Sequence, residues 1–253
     1  MSAVRALLFY LGLLFWTVAI GILAAPSLVL PRDVLLRVAQ GWARGVVALL
    51  AVTVGIRHRV AGEVPKGSVI VAAKHQSAWE TLVLPTVIED PAVVLKRSLL
   101  WIPIFGWYLA RIGMIAIDRK GGGGALRRLV RHARRVVAQG RPILMFPEGT
   151  RTAPGQTRRY HPGIYALYSE LALPVVPVAL NSGLYWPRRS IAKRAGTITV
   201  EFLPAIAPGL DRDEFMRELV ARIESATDAL TTEAQRHRDT EKRKNKDSSV
   251  SLW

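Results

Sequence analysis

Residues 68–80 have the sequence SVIVAAKHQSAWE, in which an apolar run meets a polar segment. The run from Val69 to Ala73 is short, rich in β-branched residues and free of charge, which predicts a buried strand. The polar segment carries His75 and, five positions later, Glu80. In open α/β folds, ligands bind just beyond the carboxyl ends of the strands. The stretch therefore predicts an α/β fold with a functional histidine and carboxylate at the sheet edge.

His75 and Glu80 support two interpretations. In the first, the carboxylate holds Nδ1 of the histidine, and the ring acts as a general base toward an alcohol. In the second, Ser77 caps a helix and Glu80 reaches back to it, as in a capping box. Positions i and i+5 lie about 140° apart on an ideal helix, so the first interpretation requires His75 to lie outside the helix. A cap at Ser77 would allow that, and spacing alone leaves both interpretations open.

The composition limits the possible functions. A chain of 253 residues is long enough for one α/β domain and an appendage. Its net charge of +16 indicates an anionic partner such as a phospholipid surface, a phosphorylated substrate or nucleic acid. The absence of cysteine excludes disulfides, thiolate metal sites and cysteine nucleophiles. The histidines are scattered without the spacing of metal ligands, so we expect no metal site.

The N-terminus is the most apolar part of the chain. From Ala6 to Leu30 there is no charged residue, and a helix of that length would reach roughly 37 Å, enough to cross a membrane. The weak leading charge, Arg5, favours a retained anchor over a cleaved signal peptide. Residues Val34–Ile56 form a helix with a polar stripe, either an interfacial helix, the second arm of a hairpin that enters one leaflet, or a core helix of the main domain. Basic residues are denser after the anchor, which favours the cytoplasmic side for the globular part.

Beyond the anchor, apolar runs alternate with helical patterns, which predicts an α/β fold with a mostly parallel central sheet flanked by helices. The predicted strands are Val69–Ala73, Val93–Leu95, Ile112–Ile117, Ile143–Phe146, Val175–Leu180 and Thr197–Leu203. The predicted helices are Ser77–Val87, Ala125–Gln139, Pro162–Leu171 and a last one from about Asp211. We divide the chain into a membrane anchor with an interfacial helix (1–58), an α/β domain (59–235) and a charged tail expected to be disordered (236–253).

The predicted helix Ala125–Gln139 is strongly basic on one side. Five arginines lie opposite its apolar stripe. Either this side is an ordinary solvated face, or it contacts anionic lipid headgroups, for which each basic residue contributes about 1 kcal/mol.

Two further apolar runs end in paired charges. One leads into PEGTR at 147–151, where Gly149 allows close approach of the backbone to a ligand and Arg151 offers a planar group suited to phosphate. The other ends in Asp118 and Arg119. Together with the histidine and glutamate, these strand ends predict a site that joins a base to phosphate-binding cations.

In these blocks the chain resembles the glycerolipid acyltransferases, specifically the bacterial 1-acylglycerol-3-phosphate acyltransferases. The family's first block is a histidine followed by four residues and an acid, usually aspartate, and here it corresponds to His75 and Glu80. The second block corresponds to Gly113–Arg119, the third to Phe146–Arg151 and the fourth to Val175–Leu180. Order and spacing agree over roughly residues 69–204.

The resemblance implies transfer of a fatty acyl group from an acyl carrier protein or coenzyme A thioester to the 2-hydroxyl of lysophosphatidate, giving phosphatidate without a cofactor. His75 would be the general base and Glu80 would orient it. The acceptor site would comprise Glu148, Gly149, Thr150 and Arg151, with phosphate on Arg151. Arg119 and Lys96 are further phosphate candidates, although Lys96 would serve equally as an oxyanion donor or as an ordinary surface lysine.

The resemblance also implies a glycerol-3-phosphate acyltransferase-like fold. We expect the protein at the inner, cytoplasmic membrane, with its catalytic domain on the cytoplasmic face and an anionic membrane surface as partner.

Other functions stay open at this point. The blocks specify the chemistry more closely than the acceptor, so a related O-acyltransferase for another lysolipid, such as a lyso-aminolipid, or for glycerol 3-phosphate is an alternative. A membrane-tethered nucleic-acid-binding protein would explain the charge, but aromatic residues do not interleave with the basic face, and we expect no nucleic-acid partner. A lipid hydrolase is disfavoured because no Gly-x-Ser-x-Gly elbow is present. An inactive scaffold would keep the blocks without turnover.

Overall fold

The computed structural model describes residues 3–118 and 122–250, with side chains for 4–118 and 122–240. Strands and helices alternate along the α/β domain, as predicted. The helices are α1 (Ala3–Leu23), α2 (Arg32–Thr53), α3 (Trp79–Val87), α4 (Phe105–Ile112), α5 (Gly122–Val137), α6 (Gly163–Leu171) and α7 (Arg212–Val250). The strands are β1 (Ile56–Ala61), β2 (Ile70–Ala73), β3 (Ala92–Lys96), β4 (Ile115–Ile117), β5 (Ile143–Met145), β6 (Val175–Leu180) and β7 (Gly196–Phe202).

The described strands form one sheet in the order β1-β7-β6-β2-β5-β3-β4. All neighbouring pairs are parallel except β6 and β7, which confirms the predicted, mostly parallel sheet. The β2 strand lies in the middle, between β5 and β6. Val71 and Ala73 face one core and Ile70 and Ala72 face the other. Burial on both faces explains why this run is apolar without alternation.

Helices cover both faces of the sheet. On one face, α1, α2 and α3 contribute Phe9, Val46 and Leu84 to the core. On the other, α5, α6 and α7 contribute Leu129, Leu167 and Phe215. The sheet therefore separates the apolar N-terminal helices from the basic helix α5.

The first helix lies along the domain instead of projecting from it. It ends at Leu23, earlier than the uncharged run predicted, because a 3-10 turn containing Pro26 follows. Near its N-terminus, Lys193 Nζ donates a hydrogen bond to the Tyr10 hydroxyl at 2.7 Å. Just past its C-terminus, the Tyr108 hydroxyl donates to the carbonyl of Ala24 at 2.6 Å. Both ends of α1 are thus attached to the same globular body.

The second helix, α2, combines features of a core helix and of an interfacial helix. It buries Leu35, Val46 and Leu50, as a core helix would, yet leaves Val52 almost fully exposed. By length and composition, α1 and α2 are each apolar enough to cross a bilayer.

The observed elements differ from the expected ones at three places. The α/β domain begins before residue 59, because β1 starts at Ile56 and pairs with β7. The predicted strand Ile112–Ile117 is divided, since α4 ends at Ile112 and Gly113 takes a left-handed conformation (φ 80°) before β4. The tail is helical through 236–250, because α7 contains neither glycine nor proline and continues through strong helix formers. Residues 251–253 lie outside the described chain.

The start of α2 is attached to the domain by Asp90. Arg32 donates two hydrogen bonds to the Asp90 carboxylate and one to the carbonyl of Ile112, the last at 2.8 Å. Arg141 Nε lies 3.1 Å from the same carboxylate. Burial lowers the pKa of the Arg141 guanidinium, and the Asp90 charge opposes that shift. One carboxylate therefore balances two guanidinium groups at this junction.

We predict that Asp90→Asn lowers the free energy of unfolding by about 1.5–3 kcal/mol, because it removes charged hydrogen bonds and leaves two guanidinium groups together. Denaturant titration in detergent measures this. The matched control is Asp33→Asn, which removes an exposed ion pair with Arg37 on α2 and should cost no more than about 0.5 kcal/mol. Equal effects of the two variants would contradict the assignment.

Candidate active site

His75 and Glu80 are in contact at the carboxyl end of β2. His75 lies in the loop beyond the strand and Glu80 in the first turn of α3. His75 Nδ1 is 2.9 Å from Glu80 Oε1. The imidazole stacks on Phe146 with 4.5 Å between ring centroids. Because the ionised carboxylate can only accept, Nδ1 carries the proton and Nε2 is left to accept one.

Glu80 also takes part in the helix start. Its Oε1 accepts hydrogen bonds from the backbone N–H groups of Gln76 and Ser77, at 2.7 and 2.6 Å. The Ser77 hydroxyl accepts one from the N–H of Trp79 at 3.1 Å. The contact from Glu80 to the N–H of Ser77 is the glutamate half of a capping box, whereas the Ser77 hydroxyl meets the N–H two residues on instead of three, and the regular helix begins at Trp79. The two interpretations of the sequence are therefore compatible, because the capping contacts place the carboxylate against His75.

A third side chain completes the environment of Glu80. The Ser182 hydroxyl, in the turn after β6, donates to Glu80 Oε2 at 2.8 Å. Sequence reasoning missed Ser182, because no motif surrounds it and it lies 102 positions from Glu80.

Lys74 forms a buried ionic network beneath the histidine. Only 1% of its side chain is exposed, and its Nζ lies 2.9 Å from Glu148 Oε1 and 2.6 Å from Glu224 Oε2. Tyr160 donates its hydroxyl hydrogen to Glu224 Oε1 at 2.8 Å. The backbone N–H of His75 donates to Glu148 Oε2 at 2.8 Å. The network thus joins the histidine loop, the third block and α7.

Sequence reasoning did not assign a role to Lys74 or Glu224. Lys74 belongs to the opening motif, but a lysine after a strand is ordinarily exposed, and Glu224 is one of several acidic residues on α7. Only their long-range contact identifies them.

Some residues of the third block, Phe146–Arg151, are buried in the interior and others line a cavity. Glu148 is buried with both carboxylate oxygens against donors, so it supports the histidine loop. Gly149, which adopts φ 63°, and Arg151 line the cavity. Thr150 lies between them, half-buried. The Arg151 carbonyl accepts a hydrogen bond from Arg188 at 2.9 Å, which holds this loop in place.

The cavity has a volume of about 1100 Å³ and extends from His75 to the N-terminal helices. Its lining is mostly apolar. It includes α1 residues between positions 17 and 22, together with residues of α2, α4 and the start of α5. Lys96 and Asp118 also line it. The structure therefore brings His75, Lys96, Gly149 and Arg151 to one cavity, while Arg119 lies outside the described residues.

The chain is similar in sequence to known proteins. A family model described as "Acyltransferase" matches residues 55–181. The chain is 39% identical over 230 residues to the 1-acyl-sn-glycerol-3-phosphate acyltransferase of Pseudomonas aeruginosa. This alignment covers 88% of this chain and 89% of that protein. It is 31% identical over 170 residues to the enzyme of the same name from Escherichia coli, covering 63% of this chain and 65% of that protein.

The fold also has a counterpart among solved structures. The crystal structure of the 1-acyl-sn-glycerophosphate acyltransferase PlsC from Thermotoga maritima superposes with a TM-score of 0.73 at 20% identity. The match covers 91% of this chain and 98% of that chain. At this identity the likeness concerns the fold.

We predict that Lys74→Met destabilises the protein by roughly 3–5 kcal/mol, because it leaves two buried carboxylates without their cation. Glu224→Gln should cost less, since Lys74 and Glu148 remain balanced. Denaturant titration measures both. The control is Glu218→Gln, which removes a more exposed pair with Arg222 on the same helix. A larger cost for Glu224→Gln than for Lys74→Met would show that the network is not organised around the lysine.

Proposed function

The chain belongs to the acyltransferase family and is an acyltransferase, and from this premise we propose that it transfers a fatty acyl group from an acyl thioester to the 2-hydroxyl of 1-acyl-sn-glycerol 3-phosphate. The product is phosphatidate. The bacterial relatives are acyltransferases of 1-acyl-sn-glycerol 3-phosphate, which supports this acceptor. The proposed donor is the thioester of acyl carrier protein or coenzyme A.

The contact between His75 Nδ1 and Glu80 Oε1 carries this proposal. With Nδ1 held by the carboxylate, Nε2 is the ring nitrogen that takes the proton of the acceptor hydroxyl. The hydroxyl oxygen then attacks the thioester carbonyl, and Glu80 stabilises the imidazolium that forms. Collapse of the tetrahedral intermediate breaks the carbon–sulfur bond, and the imidazolium returns its proton to the departing thiolate. The acceptor itself is the nucleophile, so no acyl-enzyme forms.

The cations at the cavity support recognition of the acceptor phosphate. Arg151 and Lys96 line the same cavity as His75, and Gly149 removes side-chain bulk from the loop beside them. Arg119 is proposed as a further phosphate ligand from its position in the second block. Lys96 is also placed to stabilise the oxyanion of the intermediate. Glu148 contributes indirectly, by holding the backbone of His75.

The apolar part of the cavity supports a lipid substrate. It lies between His75 and the N-terminal helices, so an acyl chain can occupy it while the thioester or hydroxyl reaches the histidine. Because both ends of α1 are attached to the domain, we propose that α1 and α2 enter one leaflet as a hairpin. The catalytic domain would then lie on the cytoplasmic face of the inner membrane.

Replacing His75 and Glu80, the proposed catalytic dyad, should separate catalysis from folding. We expect His75→Ala to lower kcat by about 10²–10⁴-fold, the usual contribution of a general base. The fold should be retained at some cost in stability, because the Glu80 carboxylate loses the imidazole donor but keeps the N–H groups of Gln76 and Ser77 and the Ser182 hydroxyl. Glu80→Gln should lower both kcat and stability, because it removes the charge and an acceptor of capping bonds. Phosphatidate is measured by mass spectrometry from lysophosphatidate and acyl thioester.

The control for the dyad is His132→Ala, an exposed histidine on α5 that should leave turnover unchanged. Full activity of His75→Ala would refute the mechanism. If Glu80→Gln lowered stability alone, the glutamate would act only as a helix cap.

Replacement of Arg151 should report on the phosphate. We expect Arg151→Ala to raise the acceptor KM by roughly 10- to 100-fold, the effect of losing a charged hydrogen bond worth about 1.5–3 kcal/mol. The assay pairs a panel of acceptors, namely lysophosphatidate, glycerol 3-phosphate and a lyso-aminolipid, with both thioester donors. An unchanged KM would remove Arg151 from the phosphate site. Preferred turnover of the lyso-aminolipid would overturn the proposed acceptor.

A further inference from the structure

An exposed apolar segment lies beside the cavity at residues 101–107. It joins a 3-10 helix, Arg97–Trp101, to the start of α4. The Trp101 and Trp107 side chains are 77% and 56% exposed. Ile102, Ile104 and Phe105 between them are exposed as well. A contiguous apolar patch of this kind marks a surface that binds a partner or a membrane.

The backbone of this segment is fixed, which keeps its side chains on the outside. The N–H of Gly106 donates to the carbonyl of Ile102 at 2.7 Å. A Cβ at Gly106 would lie 2.2 Å from the carbonyl oxygen of Leu100, so only glycine allows this close approach. Ile104 adopts φ 64°, a strained value for a β-branched residue. The segment thus keeps a strained backbone conformation while its apolar side chains are exposed.

The same segment forms part of the cavity mouth. Ile102, Ile104 and Phe105 are exposed and also line the cavity. On α1, Val18 and Ile22 likewise combine exposure with a place in the lining. The mouth therefore has an apolar rim built from two elements, and that rim continues outward into the two tryptophans.

The charged residues that flank the segment in the sequence are basic. Lys96, Arg97 and Arg111 are exposed at its flanks. The sequence has no acidic residue between Asp90 and Asp118. Tryptophan beside basic residues is the composition that proteins place at the headgroup level of a bilayer, where anionic lipids attract the cations.

We propose that residues 101–107 are a membrane-binding element of the catalytic domain, which places the cavity mouth on the lipid headgroups. Acyl chains then enter the cavity from the bilayer between this segment and α1, without crossing water. This element is additional to the N-terminal helices. Only the identity of the chains that enter depends on the proposed function.

The absence of cysteine allows a direct test on the full chain. Trp107→Cys and, as control, Arg131→Cys are each labelled with an environment-sensitive fluorophore. Residue 131 is exposed on α5, across the sheet from α1 and α2. With vesicles of phosphatidylethanolamine and phosphatidylglycerol, we expect a blue shift at 107 and quenching by brominated acyl chains, with neither at 131. A label at 107 that stays in water while the protein is vesicle-bound would overturn the proposal. Burial of that label without vesicles would overturn it as well, because it would show that a second copy of the chain covers this surface.

A kinetic test uses the double variant Trp101→Ser/Trp107→Ser. We expect its KM for lysophosphatidate in vesicles to rise several-fold, with the rate on a short-chain acceptor dissolved as monomers unchanged. Val60→Ser, an exposed apolar position on β1, is the control and should change neither. Equal losses on both acceptors would assign the tryptophans to the fold and refute the membrane role. If the natural chain turned over no lysophosphatidate, the proposed function would fail while the labelling result still decided the membrane contact.

Discussion

The carboxylate of Glu80 is fully buried, and a buried charge is tolerated only when hydrogen bonds replace the water it has lost. Its donors are the His75 ring, the N–H groups of Gln76 and Ser77, and the Ser182 hydroxyl. These groups come from the loop after β2 and the turn after β6. Satisfying one carboxylate therefore fixes the histidine ring, the start of α3 and the end of a neighbouring strand together. The rest of the site is built around that junction.

The sheet gives the molecule two different sides. One side carries α1, whose outer surface is apolar, and α2, which exposes Arg37 and Arg44 as well as Val52. The segment at 101–107 leads into α4, which packs on α2. The other side carries α5, whose Arg127, Arg128 and Arg131 are exposed. Arg134 on the same helix pairs with Glu170 at 2.7 Å. Of the two interpretations of this basic helix, the solvated face fits its position better, because the sheet separates it from the apolar helices.

The local sequence pattern predicted the elements that are buried along their whole length. The strand β2 was recognisable because both of its faces are buried, so its run is continuously apolar. The helix α4 was missed because three of its eight residues are aromatic and its last residue, Ile112, begins a β-branched run that continues past the left-handed Gly113, a pattern that favours a strand. In the tail two signals oppose each other, because dense charge indicates disorder whereas the absence of glycine and proline from α7 favours helix. Ser182, Lys74 and Glu224 depend on contacts between distant segments, which no local pattern encodes.

Glu80 contacts both the start of α3 and His75, and the length of its side chain allows it to reach both. A glutamate three positions after a serine at a helix start is long enough to reach back to the N–H of that serine. In this chain the same oxygen, Oε1, meets the N–H of Ser77 at 2.6 Å and Nδ1 of His75 at 2.9 Å. The second oxygen is then free for Ser182 on the far side. Because one oxygen faces the loop and the other faces β6, Glu80 joins His75 to both the helix and the sheet, and the position of His75 is set by the fold itself.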